Sequence, residues 1–323
     1  MSTLPLNAKI YIAGHLGLAG SAVWRKLKSL GYTCLIGSTS KELDLTQQDA
    51  VNAFFKLEQP DYVILAAAKV GGILANSTYP ADFIYRNLMI QTNVIHAAKA
   101  QNIKRLIFLG SSCIYPKMCP QPIKEEYLLT GPLEITNRPY AVAKIAGIEL
   151  CWSYNRQYHT QFLAVMPTNL YGPGDNYDLQ TSHVLPAIMR KMHEGKIHQK
   201  QVELWGKGTV KREFLHVDDL ASAIVHLLKL PEDTFSALCS SSTEPPLINI
   251  GCGEDVTIKE LAFLTAAVTG YKGTILWNAD KPEGTPRKLL DVARLKSLGW
   301  CPAITLPKGL ENAYQAMQTE IYS

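Results

Sequence analysis

No run of the sequence approaches the roughly 20 consecutive apolar residues that a bilayer-spanning helix needs, so no membrane anchor of that kind is expected. No Cys-x-x-Cys pair occurs among seven scattered cysteines, Cys34, Cys113, Cys119, Cys151, Cys239, Cys252 and Cys301. That argues against a zinc site and a disulfide framework, and for a reducing compartment, by default the cytoplasm. An excess of one charge is also missing. The 32 Lys+Arg against 28 Asp+Glu leave a net +4 without a basic block, so nothing asks for nucleic acid as a partner. The apolar stretch Ile10 to Trp24 is interrupted by Gly14, Gly17 and Gly20 and has neither a basic leader nor a small-residue cleavage pattern, so it does not read as a secretory signal. No internal repeat is visible, and the one biased stretch, Ser240 to Pro246, reads as a surface loop.

What is present is material for a core: 47% hydrophobic and 19% charged residues over 323 positions, enough for two domains or one large domain with an appended lobe. Short apolar runs at Ile10 to Ala13, Thr33 to Ile36, Tyr62 to Ala66, Leu106 to Leu109 and Phe162 to Val165 read as strands buried on both faces. Between them, Leu18 to Leu30, Gln47 to Leu57, Ala81 to Ala100 and Tyr140 to Tyr158 carry helical spacing. This alternation predicts an α/β fold with a doubly wound parallel sheet of the Rossmann type. After Pro167 the texture becomes turn-rich, which predicts a smaller C-terminal α/β lobe. Asp218 to Leu230 and Leu247 to Ile250 read as a helix and a strand that rejoin the sheet. The expected division is therefore 1–170 with 216–250 for a dinucleotide, and 171–215 with 251–323 for a substrate.

Gly14-x-x-Gly17-x-x-Gly20 follows the first strand and opens a helix, the context in which glycines let backbone approach a pyrophosphate at a helix N-terminus. Small residues also serve helix–sheet packing. No acidic residue stands at the end of the second strand to accept the ribose hydroxyl of NAD. Ser38, Ser40 and Lys41 stand there instead, groups suited to a 2′-phosphate or to an ordinary polar loop. Asp44-Leu45 either lies over an adenine or caps the helix that follows.

Tyr140 and Lys144 lie four apart on a helix that starts after Asn137-Arg138-Pro139, so both project from one face. A nearby ammonium is expected to lower the phenol's pKa and let it exchange a proton with a carbinol oxygen. Ser111, just beyond the fourth strand, lies at the ligand-bearing edge of such a sheet, where it either bonds the same oxygen or caps a loop.

The strings Ala66-Ala67-Ala68-Lys69-Val70-Gly71-Gly72, Gly110-Ser111-Ser112-Cys113-Ile114-Tyr115-Pro116, Pro139-Tyr140-Ala141-Val142-Ala143-Lys144, Met166 to Pro173, Ser182-His183-Val184 and Arg212 to Asp219 carry a resemblance over nearly the whole chain. The sequence resembles the extended short-chain dehydrogenase/reductase family, and within it the branch that epimerises and reduces GDP-4-keto-6-deoxy-D-mannose.

The resemblance implies a catalytic set of Ser111, Cys113, Tyr140, Lys144 and His183, with Cys113 and His183 exchanging protons at C3 and C5 and Cys119 structural. It implies NADP(H) as cofactor, held by Gly14, Gly17, Leu18, Gly20, Ser38, Ser40, Asp44, Leu45, Ala66, Lys144, Pro167, Asn169, Leu170 and His183. It implies that the GDP sugar meets Lys69, Gly71, Gly72, Asn169, Lys191, Trp205, Arg212 and Glu283. The chain departs from some members by carrying Leu16, Ser38 and Ser40 where they carry arginine. The alternatives are a nucleotide-sugar 4-epimerase or 4,6-dehydratase, whose relatives hold a threonine-type residue in place of Cys113, and a non-catalytic dinucleotide-binding module. A homodimer paired through Ala81 to Ala100 and Tyr140 to Tyr158 is also implied, with Ile84, Leu88, Ile148 and Trp152 as its surplus apolar residues.

Overall fold

The computed structural model describes residues 4–281 and 284–322. Strand and helix alternate through the first half: β1 (Ile10–Ala13), α1 (Leu18–Ser29), β2 (Leu35–Ile36), α2 (Gln48–Glu58), β3 (Tyr62–Leu65), α3 (Ile73–Thr78), α4 (Pro80–Ala100), β4 (Arg105–Leu109), α5 (Arg138–Tyr158) and β5 (Phe162–Pro167). Every residue of β1, β3, β4 and β5 is buried, as continuous apolar runs must be when helices cover both faces of a sheet. β2 is shorter than its apolar run, because Thr33 and Cys34 are exposed and only Leu35 and Ile36 pair with β1.

Beyond β5 the chain leaves the sheet through β6 (Asn169–Tyr171), α6 (Val184–Ile197), β7 (Val202–Trp205) and β8 (Lys211–His216). It then runs through α7 (Val217–Leu228) and α8 (Glu232–Cys239) and returns in β9 (Leu247–Ile250), which pairs in parallel with β5. The rest comprises β10 (Asp255–Thr257), α9 (Ile258–Thr269), β11 (Ile275–Asn278), β12 (Arg287–Lys288), α10 (Ala293–Ser297) and α11 (Leu306–Tyr322). The main sheet runs β2-β1-β3-β4-β5-β9 and all its pairings are parallel. The chain passes from β1 to β2 on one side and then crosses to β3 on the other, so the carboxyl ends of β1 and β3 flank the crevice where open α/β sheets bind ligands.

Two apolar clusters sandwich this sheet. Ala22, Val23 and Leu27 of α1 pack with Leu220, Ile224 and Leu227 of α7 on one face, while Val51, Phe55, Val94, Ile95, Ile145 and Ile148 of α2, α4 and α5 cover the other. A third cluster joins Met189 and Met192 of α6 to Leu261 of α9 and Met317 of α11. Two residues expected to be surplus on α4 and α5 are used within the chain. Ile148 is fully buried, and the Trp152 indole donates to the Ser241 carbonyl at 2.8 Å.

One carboxylate fastens the later segments together. Glu213 of β8 is fully buried. Its carboxylate accepts from the backbone N–H groups of Gly253 at 2.7 Å and Leu290 at 2.9 Å, while its carbonyl accepts from the side chains of Thr168 at 3.2 Å and Asn169 at 2.7 Å. Burial pushes its carboxyl above the usual range, against the pull of those N–H donors. Among the described residues no helix is long and apolar enough to cross a membrane, and no group of three potential metal ligands is found.

Candidate active site

A cleft of about 840 Å³ opens at the carboxyl ends of the strands, and every described residue that the resemblance assigns to the site lines it, whereas Lys41, the expected cation beside Ser38 and Ser40, is exposed and is not part of its wall. Glu283 lies outside the described residues. At one end is the glycine turn. Gly14 has φ +84°, and a Cβ there would stand 2.8 Å from the Ala67 backbone, while a Cβ on Gly20 would overlap the Gly14 carbonyl. These two glycines let α1 close on the turn. Gly17 differs: a Cβ there would meet nothing nearer than 3.5 Å. It is also the N-cap of α1, without a side-chain cap and with no acidic residue in the first turn. The N-terminus of α1 therefore has no side-chain cap where Gly17, Leu18 and Gly20 line the cleft, a fit for a dinucleotide pyrophosphate.

Leu18, Ser38, Ser40, Ala66, Pro167, Asn169 and Leu170 continue the wall at this end. Asp44 lines it too, with its carboxylate accepting from the Thr46 amide at 2.9 Å and hydroxyl at 2.8 Å. It thus stabilises the turn before α2, whose N-cap is Gln47, and does not cap the helix directly. The Leu45 carbonyl is held by the Asn93 side chain at 2.9 Å.

The middle of the cleft gathers the proton-transfer groups. Ser111 caps the turn Ser112–Ile114 by accepting from the Cys113 amide at 3.3 Å, and its hydroxyl lies on the Tyr140 side of the cleft, where it favours the phenolate. Lys144 is buried and donates to the Leu109 carbonyl at 2.7 Å, with its ammonium 5.8 Å from the centre of the Tyr140 ring. The expected lowering of the phenol does not occur: desolvation, reinforced by Cys113, pushes it well above its ordinary range, against the opposing influence of the Ser111 hydroxyl. Desolvation likewise lowers Lys144 to about 7. Burial penalises both charged forms more than this separation lets one stabilise the other. His183, the N-cap residue of α6, has its pKa lowered by burial and by the charge of Lys288.

At the far end, Gly72 donates its N–H to the Thr181 carbonyl at 3.1 Å, which fastens the start of α3 to the loop that carries His183. Lys69 is positioned through its backbone, which exchanges two hydrogen bonds with the Asn87 side chain at 2.9 and 3.0 Å, and Gly71 packs against Phe83. Lys191 donates to the Glu203 carbonyl at 2.9 Å, and burial lowers its pKa. Arg212 sits on β8 and Trp205 at the end of β7 is partly exposed, so cations and an indole share this end of the cleft.

Sequence reasoning missed several groups. The Asn137 side chain does not cap α5 but donates to the Cys113 sulfur at 3.2 Å. Lys288 donates to the same sulfur at 3.6 Å. Arg86 lines the cofactor end. The helix-start string Asn137-Arg138-Pro139 contained the first of these residues, but its spacing gave no sign of where the side chain would reach. Cys119 is half-buried beside the sheet core, and burial raises its thiol.

The sequence pattern described as the NAD dependent epimerase/dehydratase family matches residues 10–251. The chain is 54% identical to the GDP-L-fucose synthase of Escherichia coli over 310 residues, 95% of each chain. It is 55% identical to GDP-L-fucose synthase 1 of Arabidopsis thaliana, covering 95% of this chain and 92% of that one. Among solved structures, a GDP-mannoheptose C4 reductase from Campylobacter jejuni with NADP bound is 41% identical and superposes with a TM-score of 0.87 over 98% of this chain and 99% of that one. The glycine turn, the Tyr140/Lys144 pair and these matches lead to one conclusion: the chain belongs to the NAD dependent epimerase/dehydratase family.

Proposed function

We propose that the enzyme converts GDP-4-keto-6-deoxy-D-mannose into GDP-L-fucose, epimerising C3 and C5 and then reducing C4. The observation that carries this reading is the meeting in one cleft of a ketone-gripping set, Ser111, Tyr140 and Lys144, with a second proton-transfer set, Cys113 and His183. Reduction alone needs only the first set. The identity of 54% to a GDP-L-fucose synthase, against 41% to a C4 reductase, points the same way.

A ketone at C4 acidifies the hydrogens on both neighbouring carbons, because either enolate places its charge on the same oxygen. Hydroxyls of Ser111 and Tyr140 stabilise that oxygen. Cys113 removes the proton as base and His183 returns one to the opposite face as acid. NADPH supplies the hydride for C4 when bound. Tyr140 then protonates the C4 alkoxide, and its raised pKa suits it to keep the proton until the alkoxide forms. The Gly14–Gly20 turn with Ser38, Ser40 and Asn169 holds NADP(H), and Lys69, Lys191, Trp205 and Arg212 hold the GDP sugar. Residues 1–170 and 216–250 thus form the cofactor lobe, and 171–215 with 251–323 the substrate lobe.

A homodimer through α4 and α5 belongs to the same reading. Tyr85 and Val142 remain exposed on those helices, at 62% and 38%, and light scattering at the monomer mass would reject it. A catalytic thiol together with exposed Cys34 and Cys301 suits the reducing cytoplasm.

The deciding experiment offers purified enzyme the 4-keto sugar in D2O with NADPH or NADH and identifies the product by NMR. GDP-L-fucose labelled at C3 and C5 is expected. A reduced sugar that keeps the manno configuration and no solvent deuterium would refute the epimerase half.

A further inference from the structure

Lys288 reaches the cleft from β12, where the register sets it beside Arg212 of β8. It lies 175 positions along the chain from Cys113, yet its ammonium donates to that sulfur at 3.6 Å. The Asn137 amide donates to the same atom at 3.2 Å. Lys288 is half-buried in the cleft wall and not a free surface lysine. Asn137 occupies the N-cap of α5 without using its side chain to cap it, so the helix gives up a standard stabilising contact. Two N–H donors converging on one sulfur suit an atom that accepts, and a thiolate accepts such bonds more strongly than a thiol does. The same cation faces His183, where its charge adds to burial and makes a protonated imidazole a readier donor. One positive charge therefore acts in the same sense on both partners, favouring loss of the proton from each: it readies the sulfur to accept a proton and the imidazolium to give one up.

We propose that Lys288 is a further catalytic residue of the epimerisation: its ammonium holds the Cys113 sulfur as the proton acceptor and thereby assigns the base role to Cys113 and the acid role to His183. This rests on the function proposed above. At each carbon the thiolate forms an S–H bond as the C–H bond breaks, and the electron pair passes into the enolate, with its charge on the C4 oxygen. The imidazolium N–H bond then breaks as a new C–H bond forms on the opposite face. Cys113 loses its acquired proton to solvent and the imidazole regains one from solvent, so the cycle is neutral overall. Lys288 keeps its protons throughout.

The test compares wild type, Lys288→Met and Lys288→Arg, each with NADP+ bound, by two readouts. The first is wash-in of solvent deuterium at C3 and C5 of the GDP-4-keto sugar. The second is the rate at which iodoacetamide alkylates Cys113 at pH 7, followed by peptide mass mapping, which needs no substrate. Lys288→Met should slow exchange at both carbons by about 10²-fold at saturating sugar and slow alkylation of Cys113 by at least about tenfold, with NADP+ affinity unchanged. Lys288→Arg should recover most of both rates. Exchange by Lys288→Met within threefold of wild type, or a loss confined to KM, would overturn the proposal. So would unchanged alkylation. Should wild-type enzyme exchange neither carbon, the proposed substrate is wrong, and the alkylation comparison alone then decides the role of Lys288.

Discussion

Gly72→Ala tests whether the loop carrying His183 must be held where the structure has it. Gly72 has φ −66° and ψ −177°, a conformation alanine adopts freely, so backbone preference does not oppose the change. The obstacle is contact: a Cβ at this position would stand 2.7 Å from the Ser182 carbonyl oxygen, about half an ångström or more inside ordinary van der Waals distance. Neither side of that contact is a flexible side-chain end, so the 181–182 backbone must retreat and the 3.1 Å bond from Gly72 to Thr181 is strained or lost. Loss of that bond costs about 1 kcal/mol, and overpacking at a rigid contact about 1–3 kcal/mol. Because a displacement of about 1 Å in a positioning element can cost about 10²-fold in rate, kcat for deuterium exchange at C3 and C5 should fall about 10- to 100-fold. NADPH affinity should change less than kcat, since the Gly14–Gly20 turn is not part of this contact and, of the residues expected to hold the cofactor, only His183 lies on the displaced loop. Exchange kinetics by NMR and cofactor titration by fluorescence make the comparison. Unchanged exchange together with an unchanged melting temperature would show that the His183 loop is not fixed through Gly72.

Cys113→Ser should abolish most exchange at C3 and C5 while NADPH still binds; undiminished exchange would contradict its role as base, and Cys119→Ser serves as the control that keeps its rate. Tyr140→Phe removes the phenolic proton but keeps the ring packed edge-on against Phe83 at 6.4 Å, so hydride transfer should drop about 10²- to 10⁴-fold with little change in melting temperature. Stopped-flow NADPH oxidation reads this directly. Lys144 is lowered to about 7 in the folded, cofactor-free chain against about 10.4 when unfolded. Between those values the unfolded chain binds the extra proton, so this group makes stability rise with pH through that window and withdraws the gain as pH falls towards 7. Urea titrations at pH 7 and 9 should show this increment in wild type and lose it in Lys144→Met. Ser38→Arg places a guanidinium at the cofactor end of the cleft, and calorimetry should show NADP+ tightening by about tenfold over NAD+; equal tightening of both would move the 2′-phosphate away from Ser38.

The sheet was legible because its strands are uninterrupted apolar runs separated by helical spacing, and β1 begins and ends where its pattern does. The return of the chain at Leu247–Ile250 was legible on the same basis. The expected residues converge on one cleft because most stand at strand ends or on the first turns of helices, places that local pattern can locate. What stayed hidden depends on distant pairing. Lys288 reaches Cys113 only through the β8–β12 register, and no local spacing encodes that. Asn137 looked like a cap because caps and sulfur ligands draw on the same amide. Ile148 looked surplus on a helix wheel because the wheel cannot say that α4 and α5 pack side by side against one face of the sheet. The phenol moved opposite to expectation because desolvation grows with depth in the cleft, whereas Lys144 spends its nearest hydrogen bond on Leu109.

Glu213 ties four stretches of chain, around 168–169, 213, 253 and 290, to a single side chain and its own carbonyl. Segments far apart in the gene product are thereby geared to one another, and none can shift without dragging the strand that bears Arg212 or the neighbour of Lys288. Room for insertions is to be sought at the 242–244 tip of the Ser240–Pro246 bend, where the amides of Thr243 and Glu244 bond the Ser241 hydroxyl of the same turn, while Trp152 and Ala164 hold the flanking Ser241 and Pro246 carbonyls, so that lengthening the tip leaves that gearing untouched.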